Sequence, residues 1–232
     1  MFCASHAECA RPARPDRSRP GARERLGRRS VPGLRAPPDL PSFYNVIIGT
    51  DGRDVLRGTN GPDAICAGLG NDVIHALGGD DVIFADTTGF FGKPDAPGGN
   101  DVVKAGAGDD EVFAGPGNDV VSGDGGNDFL ALAFGNDVGN GGSGDDMIVG
   151  GFGRDVLNGG SGADTVVGGP DADVINGGSG DDFIAGEIPP GSAPGPVPLP
   201  PPARDICNGG SGFDGAVDCD IATSIEGGAP PA

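Results

Sequence analysis

The sequence predicts an all-β fold in which short parallel strands stack into a β-solenoid. Three observations predict it: the chain repeats every nine residues, each repeat opens with a glycine-rich turn, and each repeat ends with a short aliphatic segment. Glycine and proline supply 47 and 22 of the 232 residues. A glycine turn every nine residues leaves no room for a helix of useful length, whereas a stack of strands joined by tight turns accommodates it.

The repeat unit, which we call a nonad, occurs sixteen times. Four nonads run from 49 to 84, ten from 96 to 185 and two from 200 to 217. Aspartate occupies the sixth place in all sixteen, and glycine occupies the fourth place in fourteen, with Asp171 and Ala203 as the exceptions. Spacing this regular predicts one structural unit per nonad.

Within a nonad, the first six places predict a turn and the last three a strand. Places one to six hold mainly Gly, Asn, Asp and Ser, which tolerate positive φ and tight turns. Places seven to nine, such as Val174-Ile175-Asn176, are rich in β-branched residues and predict a three-residue strand. Because side chains alternate between the faces of a strand, the aliphatic residue that nearly always fills the eighth place is predicted to point into the core.

Charge is divided unevenly along the chain. Residues 1–42 carry nine Arg and four acids, whereas residues 43–232 carry six basic residues and thirty acids, for a net charge of −19. An acidic chain favours cations and is not expected to bind nucleic acid, because phosphate contacts need Lys and Arg. No apolar stretch reaches the roughly 20 residues of a transmembrane helix, and no export signal is visible in the sequence.

A second period of eighteen residues is superimposed on the nonads within 96–185. One alternate set has valine at every seventh place and polar residues at the ninth, as in Val138 and Asn140. The other set is more apolar, and its outward places include the residues Phe113, Phe129, Met147, Val149, Val167 and Phe183. This alternation predicts two nonads per turn, with one solvated sheet and one partly covered sheet.

Nonads such as GGSGDDFIA resemble the RTX, or hemolysin-type, calcium-binding nonapeptide repeat, and the resemblance extends over residues 49–217. It implies a right-handed parallel β-roll with two nonapeptides per turn, about eight turns here, and Ca²⁺ held between successive loops. Carboxylate and carbonyl oxygens in an adaptable loop suit Ca²⁺ better than Mg²⁺. The ligands implied are the sixth-place aspartates Asp54, Asp63, Asp72, Asp81, Asp101, Asp110, Asp119, Asp128, Asp137, Asp146, Asp155, Asp164, Asp173, Asp182, Asp205 and Asp214.

The domain organisation predicted from this pattern has three parts. Residues 1–42 form a basic Arg/Pro-rich disordered arm, residues 43–226 a calcium-binding β-roll, and residues 227–232 a flexible tail. Insertions at 85–95 and 186–199 interrupt the roll, and each follows an even-numbered nonad. Both insertions are therefore expected to leave the roll from the same edge.

The function predicted is calcium binding by a secreted, extracellular β-roll that folds when Ca²⁺ binds and serves as a scaffold or surface module. The sequence has only two histidines and neither an HExxH nor a GxSxG motif, so we do not expect an enzyme. Two alternatives remain open at this stage. One is an adhesin-like or polysaccharide-binding module that binds a partner or a second copy through the apolar sheet face, and the other is a repeat fragment associated with a separate secreted enzyme.

Two local features carry further expectations. Cys207 and Cys219 lie near the end of the repeats, where they form either a disulfide that pins the end of the roll or two unrelated thiols. In nonad 132–140, Gly139 occupies the inward eighth place. This predicts a gap in the core that Gly139→Val would fill, unless a neighbour such as Phe134 already fills it.

Overall fold

The computed structural model describes residues 44–86, 98–186, 205–212, 215–217, 219 and 221–223. These ranges contain eighteen β-strands and no helix, so no helix that could cross a membrane is found within them. The strands are β1 Asn45–Thr50, β2 Val55–Arg57, β3 Asp63–Gly68, β4 Val73–Gly78, β5 Val82–Asp86, β6 Val102–Ala107, β7 Glu111–Pro116, β8 Val120–Gly125, β9 Phe129–Phe134, β10 Val138–Ser143, β11 Met147–Phe152, β12 Val156–Ser161, β13 Thr165–Val167, β14 Val174–Ser179, β15 Phe183–Ala185, β16 Ile206–Ser211, β17 Gly215–Val217 and β18 Ile221–Thr223.

The strands form two parallel nine-stranded sheets. The odd-numbered strands make one sheet and the even-numbered strands the other, so the chain alternates between the sheets and completes a turn every two nonads. Within the long block the register advances by eighteen residues, as in Val138 opposite Val156. The predicted right-handed, two-nonad β-roll is confirmed. Strands β2 to β17 belong to the sixteen nonads, and β1 and β18 extend each sheet by one strand that the repeat did not predict.

Most strands are longer than predicted. Strand β10, for example, has six residues, because pairing with the next turn continues beyond the ninth place to Gly142 and Ser143. The glycines at the second and fourth places then redirect the chain with positive φ, which is 120° at Gly142 and 121° at Gly144. The prediction of three-residue strands was therefore wrong for most nonads, since backbone pairing persists into the turn.

The core is one thin layer between the two sheets, and the eighth place supplies most of it, as predicted. Its members are exposed by no more than 1 % and include Ile65, Ile74, Ile83, Val103, Val112, Val121, Leu130, Ile148, Leu157, Val166, Ile175 and Ile184. Side chains at the first place also point inward, because they lie two residues after the eighth place on the same face. Alanine is common there, as in Ala105 and Ala114, both fully buried.

The expected gap at Gly139 is already filled. Leu132 takes the first place of the same nonad, where most nonads have Gly or Ala, and it is fully buried. A Cβ built on Gly139 would lie 3.0 Å from Leu132 Cδ1, 3.2 Å from Leu157 Cδ2 and 3.3 Å from Ile148 Cγ2. Phe134 is not the filler, because its ring stacks against Phe152 instead. The expectation that Gly139→Val fills a cavity was wrong.

The end of the roll is cross-linked. Cys207 and Cys219 form a disulfide, which decides between the two alternatives that the sequence left open. The bridge joins β16 to Cys219, which lies between β17 and β18.

The chain enters both insertions from the same sheet. Strands β5 and β15 precede them, and both belong to the odd-numbered sheet. Ala85 and Asp86, which the nonad alignment assigns to the first insertion, still belong to β5. The predicted arm and tail, together with residues 87–95 and 187–199 of the insertions, lie outside the described residues.

The outer faces of the two sheets differ, though less than predicted. The odd-numbered sheet carries the apolar set, with Met147 and Phe183 each 46 % exposed and the Phe113 ring edge-on to Phe129 at 5.8 Å. The even-numbered sheet is solvated, but its outward places include a row of exposed valines. Beside that row, the amides of Asn140, Asn158, Asn176 and Asn208 form a hydrogen-bonded ladder with distances of 2.6 to 2.9 Å.

Candidate metal centre

The described sixth-place aspartates end a turn and immediately precede a strand, as Asp119 precedes β8, except that Asp63 is the first residue of β3. Because successive turns stack, these residues form two columns, one along each edge where the chain crosses between the sheets. The first column contains Asp54, Asp72, Asp101, Asp119, Asp137, Asp155, Asp173 and Asp205. The second column contains Asp63, Asp81, Asp110, Asp128, Asp146, Asp164 and Asp182.

The structure therefore brings together fifteen of the sixteen predicted site residues, and Asp214 lies outside the described part of the chain. Apart from Asp54, the column carboxylates are at most 3 % exposed. After the first aspartate of each column, one carboxylate oxygen has a fixed role, because Oδ1 accepts the backbone N–H of the aspartate one turn earlier. The Asp119 N–H, for example, donates to Asp137 Oδ1 at 2.8 Å.

The other oxygen is buried without a hydrogen-bond donor along most of both columns. This holds for Oδ2 of Asp72, Asp81, Asp101, Asp110, Asp119, Asp128, Asp137, Asp146, Asp155, Asp164 and Asp173. Near the start of the roll, Oδ2 of Asp54 instead accepts hydrogen bonds from the backbone and hydroxyl of Thr50. A buried polar atom with no partner costs about 1 to 3 kcal/mol, and more when it is charged. A row of such atoms therefore requires a ligand of opposite charge.

The acid–base properties of the columns agree with this requirement. Burial raises the pKa of Asp110, Asp137 and Asp173 to about 8, because desolvation disfavours the ionised carboxylate. The backbone hydrogen bond lowers each pKa, and the neighbouring carboxylates of the column raise it again. A cation beside the columns would reverse this balance and keep the carboxylates ionised.

The turn glycines let the unpartnered oxygens pack close to the backbone. A Cβ built on Gly141 would lie 2.5 Å from the Gly159 carbonyl oxygen and still closer to Asp146 Oδ2. One turn later, a Cβ on Gly159 would meet the Gly177 carbonyl oxygen and Asp164 Oδ2 in the same way. At these turns, glycine at the first place thus lets carboxylate and carbonyl oxygens approach the chain more closely than a side chain would allow.

The donor set fits a hard cation. Within the described ranges, no three His, Cys, Asp or Glu side chains converge on one point, so ligands beyond the carboxylates must come from backbone carbonyls or water. Oxygen-only ligands on a turn of this kind suit Ca²⁺, which tolerates irregular geometry, better than Mg²⁺, which requires a near-ideal octahedron. The residues present therefore fit calcium.

Sequence reasoning missed a second ladder outside the columns. At the fifth place, Asn100 Oδ1 accepts the Asn118 N–H at 2.8 Å, and Asn118 Oδ1 accepts the Asn136 N–H at 2.7 Å. On the other edge, Asp109 Oδ1 accepts the Asn127 N–H at 2.8 Å. The signal was visible as recurrent Asn and Asp at the fifth place of the nonads. These bonds tie successive turns together beside the carboxylate columns.

An open groove of about 520 Å³ runs along the outer edge of the first column. Pro116, Phe134 and Phe152 line it together with the fifth-place asparagines, and the two phenylalanine rings stack in parallel with their centroids 5.2 Å apart. Phe152 is 40 % exposed. The groove combines apolar rings with amide groups on a surface that the sequence did not predict.

One comparison with known proteins bears on this arrangement. The family model of the RTX calcium-binding nonapeptide repeat matches the chain in four copies, at residues 57–87, 98–130, 133–166 and 158–188. Together these copies cover just over half of the chain and contain most of both carboxylate columns. No curated protein matches the chain significantly.

Proposed function

Since the chain belongs to the RTX calcium-binding nonapeptide-repeat family and binds Ca²⁺ at multiple sites, we propose that calcium binding folds it into an extracellular scaffold or surface module. The observation that carries this proposal is the row of buried Oδ2 atoms that have no hydrogen-bond donor. The sixth-place aspartates are the proposed ligands, Asp214 among them on the basis of the sequence alone. Each contributes a carboxylate oxygen, and carbonyl oxygens of the turns complete the coordination.

The charge on the columns makes folding depend on the metal. Carboxylates one strand spacing apart, about 4.8 Å, repel by about 1 kcal/mol in water and about 3.5 kcal/mol at an effective dielectric constant of 20. Because the core is a single layer of aliphatic side chains, it contributes too little stability to offset many such repulsions as well as the loss of chain entropy on folding. Bound Ca²⁺ replaces each repulsion by an attraction to two carboxylates, so metal binding and folding are one equilibrium.

Two observations support an extracellular location. RTX repeats are typical of secreted proteins. The disulfide between Cys207 and Cys219 belongs to an oxidising compartment, where disulfides persist. Calcium outside cells is also abundant enough to fill sites of the affinity that extracellular modules have, about 0.1 to 1 mM.

The role is non-enzymatic. The RTX β-solenoid is a non-catalytic calcium-binding fold. The described residues include a single histidine, His75, on the outer face of β4. Among those residues, no hydrogen bond joins the His75 side chain to a Ser, Thr or Cys nucleophile. Calcium in this protein therefore supplies structure rather than chemistry.

The proposal is tested by far-UV circular dichroism of the full chain in chelator, in calcium and in magnesium. We expect a β signal that develops at about 0.1 to 1 mM Ca²⁺ and only weakly with the same concentration of Mg²⁺. Asp137→Asn should raise the calcium concentration needed, because it removes a buried ligand charge. The matched control is Asp109→Asn, an exposed fifth-place change that keeps the acceptor for the Asn127 N–H. An unchanged β signal in excess chelator would refute coupled folding.

An interaction module, adhesin-like or polysaccharide-binding, is a second candidate, and two surfaces favour it. The groove along the first column presents Phe134 and Phe152 beside asparagine amides, a mixture of apolar and polar groups typical of ligand sites. The odd-numbered sheet presents an apolar stripe through Phe129, Met147 and Phe183, and such stripes commonly mark contact surfaces. A second copy of the chain is the occupant we propose for that stripe.

A further inference from the structure

Asp86 is a buried carboxylate that the nonad pattern does not account for. Asp86 is the last residue of β5 and pairs with Gly68. Because Gly68 is the second residue of its nonad, Asp86 takes the second place of a turn and not the sixth. Its exposure is 1 %. The chain therefore places one additional acid inside the edge that carries the first column.

The contacts of Asp86 leave one oxygen without a partner. Its Oδ2 accepts the Gly99 N–H at 2.9 Å, whereas its Oδ1 is buried and accepts no hydrogen bond. The next turn closes over it, since a Cβ built on Gly115 would lie 2.6 Å from Asp86 Cβ and 3.3 Å from Oδ2. The carboxylate is thus enclosed between two turns with one oxygen available to a ligand.

The neighbours of Asp86 are also anionic. The carboxylates of Asp101, Asp119 and Asp72 all act on it electrostatically, and together with burial they raise its pKa to about 8. Nothing in its described contacts supplies a compensating positive charge: the one donor is a neutral backbone N–H. Ionised Asp86 therefore favours a cation at this position, as the column aspartates do.

The second place does not by itself bury a carboxylate. Asp124 occupies the same place in a turn of the second column, but it is exposed, and its Oδ1 accepts the Ser122 hydroxyl at 2.5 Å. Asp124 has a positive φ of 72°, like the glycines at this place, whereas Asp86 does not. Asp86, at the start of the first insertion, therefore differs from Asp124 both in its backbone and in the burial of its side chain.

We propose that Asp86 is an additional calcium ligand, which gives one site of the first column a carboxylate from outside the repeat pattern. This proposal rests on the calcium-binding columns described above. Calcium affinity rises with the number of charged ligands, so this site is expected to be the tightest of the column. Asp86 lies outside the repeat pattern, so the pattern alone does not reveal this site.

The test is calorimetric titration of the full chain with CaCl₂, comparing the wild type with Asp86→Asn, Asp86→Ala and Asp124→Asn. Asp86→Asn keeps the side-chain shape and the acceptor for the Gly99 N–H but removes the charge. We expect it to weaken the tightest site at least tenfold or abolish it. Asp124→Asn, the same change at the same place in an exposed setting, should titrate like the wild type.

The outcomes of these titrations distinguish a calcium ligand at Asp86 from a purely structural residue. If Asp86→Asn titrates like the wild type and only Asp86→Ala weakens binding, Asp86 serves the Gly99 hydrogen bond and is not a ligand. Because the other sites remain, Asp86→Asn must reach the wild-type β signal at saturating calcium, and failure to do so contradicts the proposal. A wild type that takes up no calcium would instead refute the proposed function itself, so the two failures are distinguishable.

Discussion

The contact between Leu132 and Gly139 allows a quantitative test of how the thin core is packed. In most other nonads a small residue at the first place accompanies a large residue at the eighth, and this nonad reverses the two sizes. Leu132→Ala removes a fully buried side chain opposite a glycine, which cannot collapse into the space. We expect a loss of about 3 kcal/mol in the free energy of unfolding, from lost burial and the remaining cavity.

Gly139→Val is expected to lower the free energy of unfolding for the opposite reason, because it overpacks the core. A Cβ would already lie 3.0 Å from Leu132 Cδ1, and the two methyl groups of valine need further room. Overpacking of this kind costs about 1 to 3 kcal/mol. The double variant Leu132→Ala/Gly139→Val restores the usual order of sizes. We therefore expect it to lose less than about 2 kcal/mol, whereas independent changes would add to about 5 kcal/mol.

The measurement is urea unfolding followed by circular dichroism at one fixed, saturating calcium concentration, because bound ligand contributes to the apparent stability. The control pairs Gly139→Val with Ile184→Ala, a buried change in a distant turn, and these two effects should add. Additive losses in the Leu132/Gly139 pair would refute the reasoning. So would a Gly139→Val variant that is more stable than the wild type, because the space would then be empty.

Two further predictions concern the columns and the odd-numbered sheet. Burial raises the pKa of Asp110 and Asp137 from 3.8 to about 8, so in chelator the stability they contribute is complete below about pH 4 and is lost as the pH rises towards 8. The chelated protein should therefore show more β signal at pH 5 than at pH 8 by circular dichroism, and the reverse order would contradict the assignment. Phe129→Ser/Met147→Ser should leave the calcium-induced β signal intact but reduce self-association in sedimentation of the calcium-loaded protein. A wild type that sediments as a monomer would show that the stripe is not a contact between copies.

The sequence predicted the fold and most of the candidate site because both follow the repeat. In a solenoid each turn contacts mainly the turns before and after it, so a nine-residue period with an eighteen-residue modulation specifies which residues stack. The sixth-place aspartates therefore had to form columns, and the eighth-place aliphatic residues had to form the core. The disulfide was predicted only as one of two alternatives, because sequence does not specify the distance between two cysteines.

The tertiary structure decided the features that depart from the repeat. Leu132 fills the space over Gly139 from the opposite sheet, and Asp86 enters the first column from the second place of an interrupted turn. Strands also continue through Gly142 and Ser143, beyond the three places that β propensity indicated. In each case the deciding contact joins different sheets, different turns or different places. The repeat determined how residues at the same place of stacked nonads lie on one another. Contacts between residues at different places depend on distances that only the folded chain sets.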